Sequence, residues 1–122
     1  MEDNKFLVYE YENIGEVQVT QEVVARIAAI AAMEVEGVDS LAGNITRELI
    51  ARLSSKNLQT GVDVTVKEGA LVIYLALVMN MGCNIQEASK QVQEKVKSSI
   101  EGMTGLKCGE INVKIANVKL EK

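Results

Sequence analysis

The chain has 122 residues, a length that accommodates one domain with one hydrophobic core. Apolar residues make up 48% of it and aromatic residues only 3%, so aliphatic side chains must build the core, which favours tight packing over large pockets. The net charge is −4, with eight acidic side chains against Lys5 and Arg26 in residues 1–36, and the lack of a Lys/Arg cluster excludes nucleic acid as an expected partner.

The first thirteen residues are acidic and contain an apolar patch from Phe6 to Tyr9. Such a segment is compatible with a frayed tail or with an additional edge strand. Of these two alternatives we favour the tail, and we predict a flexible acidic tail over residues 1–13, followed by a single domain over residues 14–120.

A strand followed directly by a helix is predicted next. Residues 16–19 alternate between polar and apolar, which is typical of a half-buried strand, and Thr20 offers a hydroxyl that can cap a helix. The helix is predicted over residues 21–36, with Gly37 at its C-terminal stop. It is apolar nearly all round, which predicts burial on more than one side.

This helix is also the predicted surface for partners or for self-assembly. Its repeated alanines would let another backbone approach closely, and it exposes few charges. The predicted interaction residues are Ala25, Ala28, Ala29, Ala32, Met33, Glu34 and Gly37.

The middle of the chain predicts a short helix and then a hairpin. Apolar residues at a spacing of four within residues 41–58 indicate a second amphipathic helix that ends near Ser54 and Ser55. Residues 62–67 alternate as a strand, Glu68 and Gly69 form a turn, and residues 71–79 are apolar on both faces. The last run predicts a central strand covered on both faces by helices.

The clearest helix of the sequence follows Gly82. Asn84 and Glu87 have the spacing of a helix cap, and the apolar positions from Ile85 to Met103 recur at a mean spacing of 3.6. Residues 111–115 predict the last strand, with a bulge where the alternation changes phase at residues 116–117. The predicted order is β-α-(α)-β-β-α-β, an α/β (α+β) fold with a small mixed sheet covered by two main helices.

The residues do not point to an enzyme. The chain has no histidine, the commonest general base and nitrogen metal ligand, and its closely spaced carboxylates lie at i, i+2, which is typical of solvated surface. No phosphate-binding glycine motif and no CxxC pair is present. We therefore predict no catalytic, cofactor-binding or metal-binding residues.

The two cysteines are expected to be reduced thiols of a cytosolic protein. The sequence contains no secretory segment, no apolar run of membrane-spanning length and no basic amphipathic helix for direct insertion. Cys108 is predicted to be a core residue. Cys83 precedes a helix N-terminus, where the dipole can lower a thiol pKa, so a thiol enzyme at Cys83 is an alternative to an inert thiol.

Two stretches of the chain follow patterns that identify a family. They are GEVQVTQEVVARIAAIAAMEVEGV and VQEKVKSSIEGMTGLKCGEINVKIANV. The residues that fill the first pattern are Gly15, Val19, Val24, Ile27, Ala28, Glu34, Val35, Gly37 and Val38. The residues that fill the second are Gln93, Val96, Met103, Thr104, Gly105, Leu106, Ile111, Asn112 and Val113. Over Ile14 to Val118 the chain resembles the alkaline-shock family of envelope stress response proteins.

The resemblance implies a non-enzymatic cytosolic protein of Gram-positive-type bacteria that supports cell-envelope homeostasis, lying beneath the membrane through a membrane-anchored partner. The segment 41–58 departs from the family, in which many relatives carry a glycine-rich or variable stretch. Two hypotheses follow: a self-associating scaffold or adaptor, and a regulatory module linked to fatty-acid and lipid synthesis, to which other family members look connected.

Overall fold

The computed structural model describes residues 5–43, 45–46, 50 and 61–120. Within these ranges the chain forms six strands and two helices. They are β1 (Lys5–Tyr11), β2 (Gly15–Thr20), α1 (Gln21–Met33), β3 (Val38–Leu41), β4 (Val62–Lys67), β5 (Ala70–Asn80), α2 (Ile85–Thr104) and β6 (Cys108–Lys119). The predicted α+β class is confirmed.

The larger sheet is built around β5. β6 pairs with β5 in parallel along nearly its whole length, whereas β4 and then β3 pair antiparallel with its other edge. The two short strands meet opposite Ala76, whose N–H donates to the carbonyl of Gly61 at 2.9 Å and whose carbonyl accepts from Ala42 at 2.8 Å. The sheet is therefore mixed, as predicted.

One face of this sheet and the two helices enclose the hydrophobic core. Alternate residues of β5 point into it, namely Leu71, Ile73, Leu75, Leu77 and Met79. From α2 the core receives Ala88, Val92, Val96 and Ile100, and from α1 it receives Val24 and several alanines. These side chains are buried, so the prediction that aliphatic residues build the core is confirmed.

The opposite face of β5 differs from the prediction. Val72 and Val78 are buried but lie outside the core cluster, and Tyr74 between them is 48% exposed. Both described helices pack on the core face, so the expectation of helices on both faces is wrong for the described residues. Val72 lies between its cross-strand partners Thr65 and Glu110, and such lateral neighbours cover an apolar residue of a central strand without a second helical layer.

The predicted helix ends are largely confirmed. The Thr20 hydroxyl accepts from the N–H of Val23 at 3.2 Å, and the Asn84 side chain accepts from the N–H of Glu87 at 3.0 Å. α2 ends at Thr104, and Gly105, which has a left-handed backbone, follows as its C-cap. α1 ends at Met33, three residues before the predicted position, because the chain then turns through residues 34–37 into β3.

Two predictions for the first half of the chain change. Residues Lys5–Tyr11 form the strand β1, antiparallel to β2 in a separate two-stranded sheet, so the edge strand and not the predicted tail is found over these residues. Phe6 packs against the core and holds this strand in place. Leu41, the predicted start of the middle helix, lies in β3, and the rest of the predicted segment falls mostly on residues 44, 47–49 and 51–60, outside the described residues.

The free edges of the larger sheet carry side-chain hydrogen bonds. β6 pairs only with β5 among the described strands, and its register shifts at Ala116, which confirms the predicted bulge. Gln93 of α2 donates to the carbonyl of Ile111 at 2.9 Å, and the Asn117 side chain accepts from the N–H of Val118 at 2.8 Å. Gln21 likewise donates to the carbonyl of Val64 on β4.

The place where β3 and β4 meet on the edge of β5 gives a testable prediction. A Cβ atom on Gly61 would lie 2.7 Å from the Cβ of Leu41, which is fully buried and cannot move aside. Gly61→Ala is therefore expected to lower the free energy of unfolding by about 1–3 kcal/mol in chemical denaturation.

Gly102 provides the matched control for that variant. It lies within α2, and a Cβ atom there would meet no atom within 4 Å. Gly102→Ala is expected to raise the free energy of unfolding by about 0.5–1 kcal/mol, because alanine has the higher helix propensity. Equal effects of the two substitutions would contradict this account of the place where β3 and β4 meet.

Candidate interaction surface

The four alanines predicted as interaction residues lie inside the protein. Ala25, Ala28, Ala29 and Ala32 are all buried and belong to the core cluster. Their small side chains do permit a close approach, as the sequence suggested, but the approaching groups belong to this chain's own sheet and α2. No partner reaches these four residues while the domain is folded.

The other three predicted residues lie at the C-terminal end of α1. Met33 is half-buried against the core, and the Glu34 carboxylate lies 3.3 Å from the ammonium of Lys95 on α2. Gly37 has a positive φ of 103°, and a Cβ atom there would lie 3.2 Å from the Cβ of Cys83. This end of the helix is therefore fixed to the body of the domain, with Glu34 at the surface.

The surface that α1 presents to solvent lies on the opposite side of the helix. Val23 is 44% exposed and Ile30 37% exposed, two helical turns apart, and Ile27 is half-buried beside them. We call Val23, Ile27 and Ile30 the outer face of α1. An ion pair borders it, formed by Arg26 and Glu22 at 2.8 Å. The outer face is a partly exposed apolar stripe, of which Ile27 also packs against the core.

The hollow around Cys83 is acidic. Cys83 is half-buried next to the N-terminus of α2, and among the described residues the lining of this hollow includes Glu36 and Glu87 but no Lys or Arg. A reactive thiolate needs a nearby positive charge or a base. Cys108 is buried, as predicted, and within the described part of the chain no group of three potential metal ligands comes together.

A shallow depression lies on the face of the sheet away from the helices. It has a volume of about 230 Å³, and its lining includes Asp63, Tyr74, Ala76, Asn112 and Lys114. Asp63, Tyr74 and Asn112 are direct cross-strand partners, so they form one row across β4, β5 and β6. Ligand pockets usually start at roughly 300 Å³, so the depression is small for a lipid or a cofactor.

Neither described helix combines the length and the apolar composition that a membrane span requires.

Comparisons with known proteins agree on one family. A family model described as alkaline-shock protein 23, cell envelope-related function, matches residues 9–120. The chain is 32% identical over 123 residues to the uncharacterized protein YqhY of Bacillus subtilis, covering 99% of this chain and 91% of YqhY. It is 30% identical over 108 residues to an uncharacterized protein of Streptococcus pyogenes, covering 87% and 89%. It is also similar to YloU of Bacillus subtilis, with 27% identity. No solved structure matches it significantly.

The two thiols generate a prediction about pH. Burial, followed by the nearby Glu101 carboxylate, raises the pKa of Cys108 from 9.0 to about 11, while Lys97 acts in the opposite direction. The folded thiol thus stays protonated where the unfolded one ionises. Its contribution to stability is fully present below pH 9 and is lost as the pH rises from 9 to 11, by on the order of 2–3 kcal/mol.

Denaturation of single-cysteine variants between pH 8 and pH 11 tests this prediction. Cys108→Ala is expected to remove this part of the pH dependence of unfolding, whereas Cys83→Ala, the matched control, is expected to keep it. Parallel curves for the Cys108→Ala variant and the parent protein would show that the Cys108 thiol does not titrate as described.

Proposed function

Because this chain belongs to the alkaline-shock protein 23 family, whose function is cell envelope-related, we propose that it is a non-enzymatic cytoplasmic scaffold or adaptor in envelope stress response and homeostasis. In this role it lies at the membrane through a membrane-anchored partner rather than by insertion. It also associates with further copies of itself.

The observation that carries the proposal is the outer face of α1. Val23 and Ile30 expose branched aliphatic side chains at a spacing of seven, so they lie on one line along the helix. Two such helices can pack against each other through this line, because branched side chains interdigitate at helix–helix contacts. A second copy of α1 offers the same apolar line, which makes a symmetric contact possible.

The chemistry of the chain supports a binding role over catalysis. An enzyme needs groups whose pKa is matched to proton transfer or a nucleophile with an activating partner. This chain has no histidine, and the hollow beside Cys83 is lined by carboxylates. What the domain does offer is a rigid core with apolar side chains displayed on several surfaces.

A regulatory module linked to fatty-acid and lipid synthesis is the second candidate. The depression beside Tyr74 supports it, because an apolar floor with an acidic and a basic group at its rim can bind a small amphipathic molecule. The depression is small for a lipid, so its volume favours the scaffold over the regulatory module.

Substitution of a residue on the outer face of α1 tests the proposed self-association. Ile30→Glu places a charge at one end of the apolar line, at a side chain that is 37% exposed. In sedimentation velocity the parent protein is expected to associate at micromolar concentration, and Ile30→Glu is expected to weaken the association at least tenfold, about 1.4 kcal/mol.

Leu120→Glu is the matched control, since Leu120 is also an exposed aliphatic residue but lies after β6, away from α1. It should leave the association unchanged. A strictly monomeric parent protein, or equal effects of the two variants, would rule out self-association through α1.

A further inference from the structure

The β1–β2 hairpin exposes an apolar surface that the rest of the domain leaves uncovered. Phe6 and its cross-strand partner Val19 pack against the core, and beyond a bulge at Val8 the same face continues with the partners Tyr9 and Val17. Both of these are exposed. We call Tyr9, Tyr11 and Val17, together with Ile14 at the turn, the hairpin surface.

The hairpin surface is fixed in place at one end and open at the other. The Tyr9 hydroxyl donates to the carbonyl of Thr104, the last residue of α2, at 3.3 Å. Met103, next to Thr104 in the chain, is 70% exposed. Towards the turn, Tyr11 faces Gly15, which has no side chain, and Ile14 is 84% exposed. The Tyr9 and Tyr11 rings stack with centroids 5.9 Å apart.

The charge around this surface is negative. From residue 6 to residue 25 the sequence contains four glutamates and no Lys or Arg. Glu10 and Glu16 are direct cross-strand partners on the reverse face of the hairpin, where like charges destabilise the pair. Neither carboxylate has an ion-pair partner among the described residues, although Gln18 donates to Glu16 at 2.9 Å. A cation brought close to them would relieve this repulsion.

From these features we infer that the hairpin surface is the docking site for a basic polypeptide segment that carries apolar side chains. The exposed aliphatic and aromatic groups bind its apolar residues, and the tyrosine rings bind its Lys or Arg side chains. The glutamates lie on the reverse face, so they attract the basic segment through space across the thin hairpin and not by direct contact. Anionic lipid and nucleic acid are repelled by the same charges. The cytoplasmic flanks of membrane helices are rich in Lys and Arg, so a membrane protein can supply such a segment. That the partner is a membrane protein rests on the proposed function.

A labelled peptide of alternating Lys and Leu is the probe, and fluorescence anisotropy measures its binding to the full chain. Glu10→Gln combined with Glu16→Gln is expected to weaken binding about fivefold, an effect that shrinks at high salt. The double variant removes a like-charge repulsion, so its free energy of unfolding should not fall. Tyr11→Ser is expected to weaken binding by a similar factor.

The matched control is Glu94→Gln combined with Glu110→Gln. Both residues are exposed, Glu110 accepts from Asn112 just as Glu16 accepts from Gln18, and the net charge changes equally. Binding of the probe to this control should equal binding to the parent. An equal loss in both double variants would overturn the inference, as would equal binding of a Glu-Leu peptide or stronger binding of anionic than of neutral lipid vesicles.

Sedimentation of the same variants separates this inference from the proposed scaffold. The docking site is supported if Ile30→Glu binds the peptide as well as the parent protein does and the Glu10→Gln, Glu16→Gln double variant binds it more weakly. This holds even if the parent protein proves monomeric. Self-association that survives in the hairpin variants, together with failure of the probe to bind, overturns the docking site alone. If the hairpin variants rather than Ile30→Glu abolish self-association, the surface joins two copies and the inference is wrong.

Discussion

The whole domain depends on β5 being paired on both edges and covered on one face. An eleven-residue apolar strand in water would expose both its backbone groups and its side chains. Three strands of the larger sheet hydrogen-bond to the backbone of β5, and the two helices cover its core face. β6 pairs along one edge, and β4 and β3 divide the other at Ala76. The apolar side chains on the core face of β5 require the two helices to cover them. Gly61 lies so close to Leu41, where β3 and β4 meet, that a side chain at residue 61 would clash.

Much of this architecture follows from the sequence, since it rests on local signals. The 3.6 spacing and caps of α2, the two-residue turn at Glu68 and Gly69, and the phase change at Ala116 each specify their own geometry. The sequence leaves β1 as an alternative to a tail and gives no sign of β3, because the formation of both strands depends on distant contacts. β1 is held by Phe6 against the core, and β3 forms only where β4 leaves the edge of β5 free.

The candidate surfaces, like the strands, could be predicted only where neighbouring residues in the sequence determine them. The sequence identifies α1 as unusually apolar, but a helical periodicity does not tell which of two apolar sides faces the sheet. The alanines line the inner side because the sheet and α2 both approach closely, and that leaves Val23 and Ile30 outside. The apolar patch from Phe6 to Tyr9 is visible in the sequence, but the bulge that brings Tyr9 onto the face of Val17 is not, so the hairpin surface could not be predicted.

The side-chain hydrogen bonds on the outer edge of β6 limit where another strand could add to the sheet. An uncapped edge strand offers its backbone to any other strand, and sheets that extend in this way grow without limit. Here Gln93 and Asn117 already occupy backbone groups of that edge, and Gln21 does the same on β4. A new strand would have to displace these side chains before it gained a hydrogen bond. At these positions, adding a strand therefore costs hydrogen bonds that a contact through side chains would leave intact.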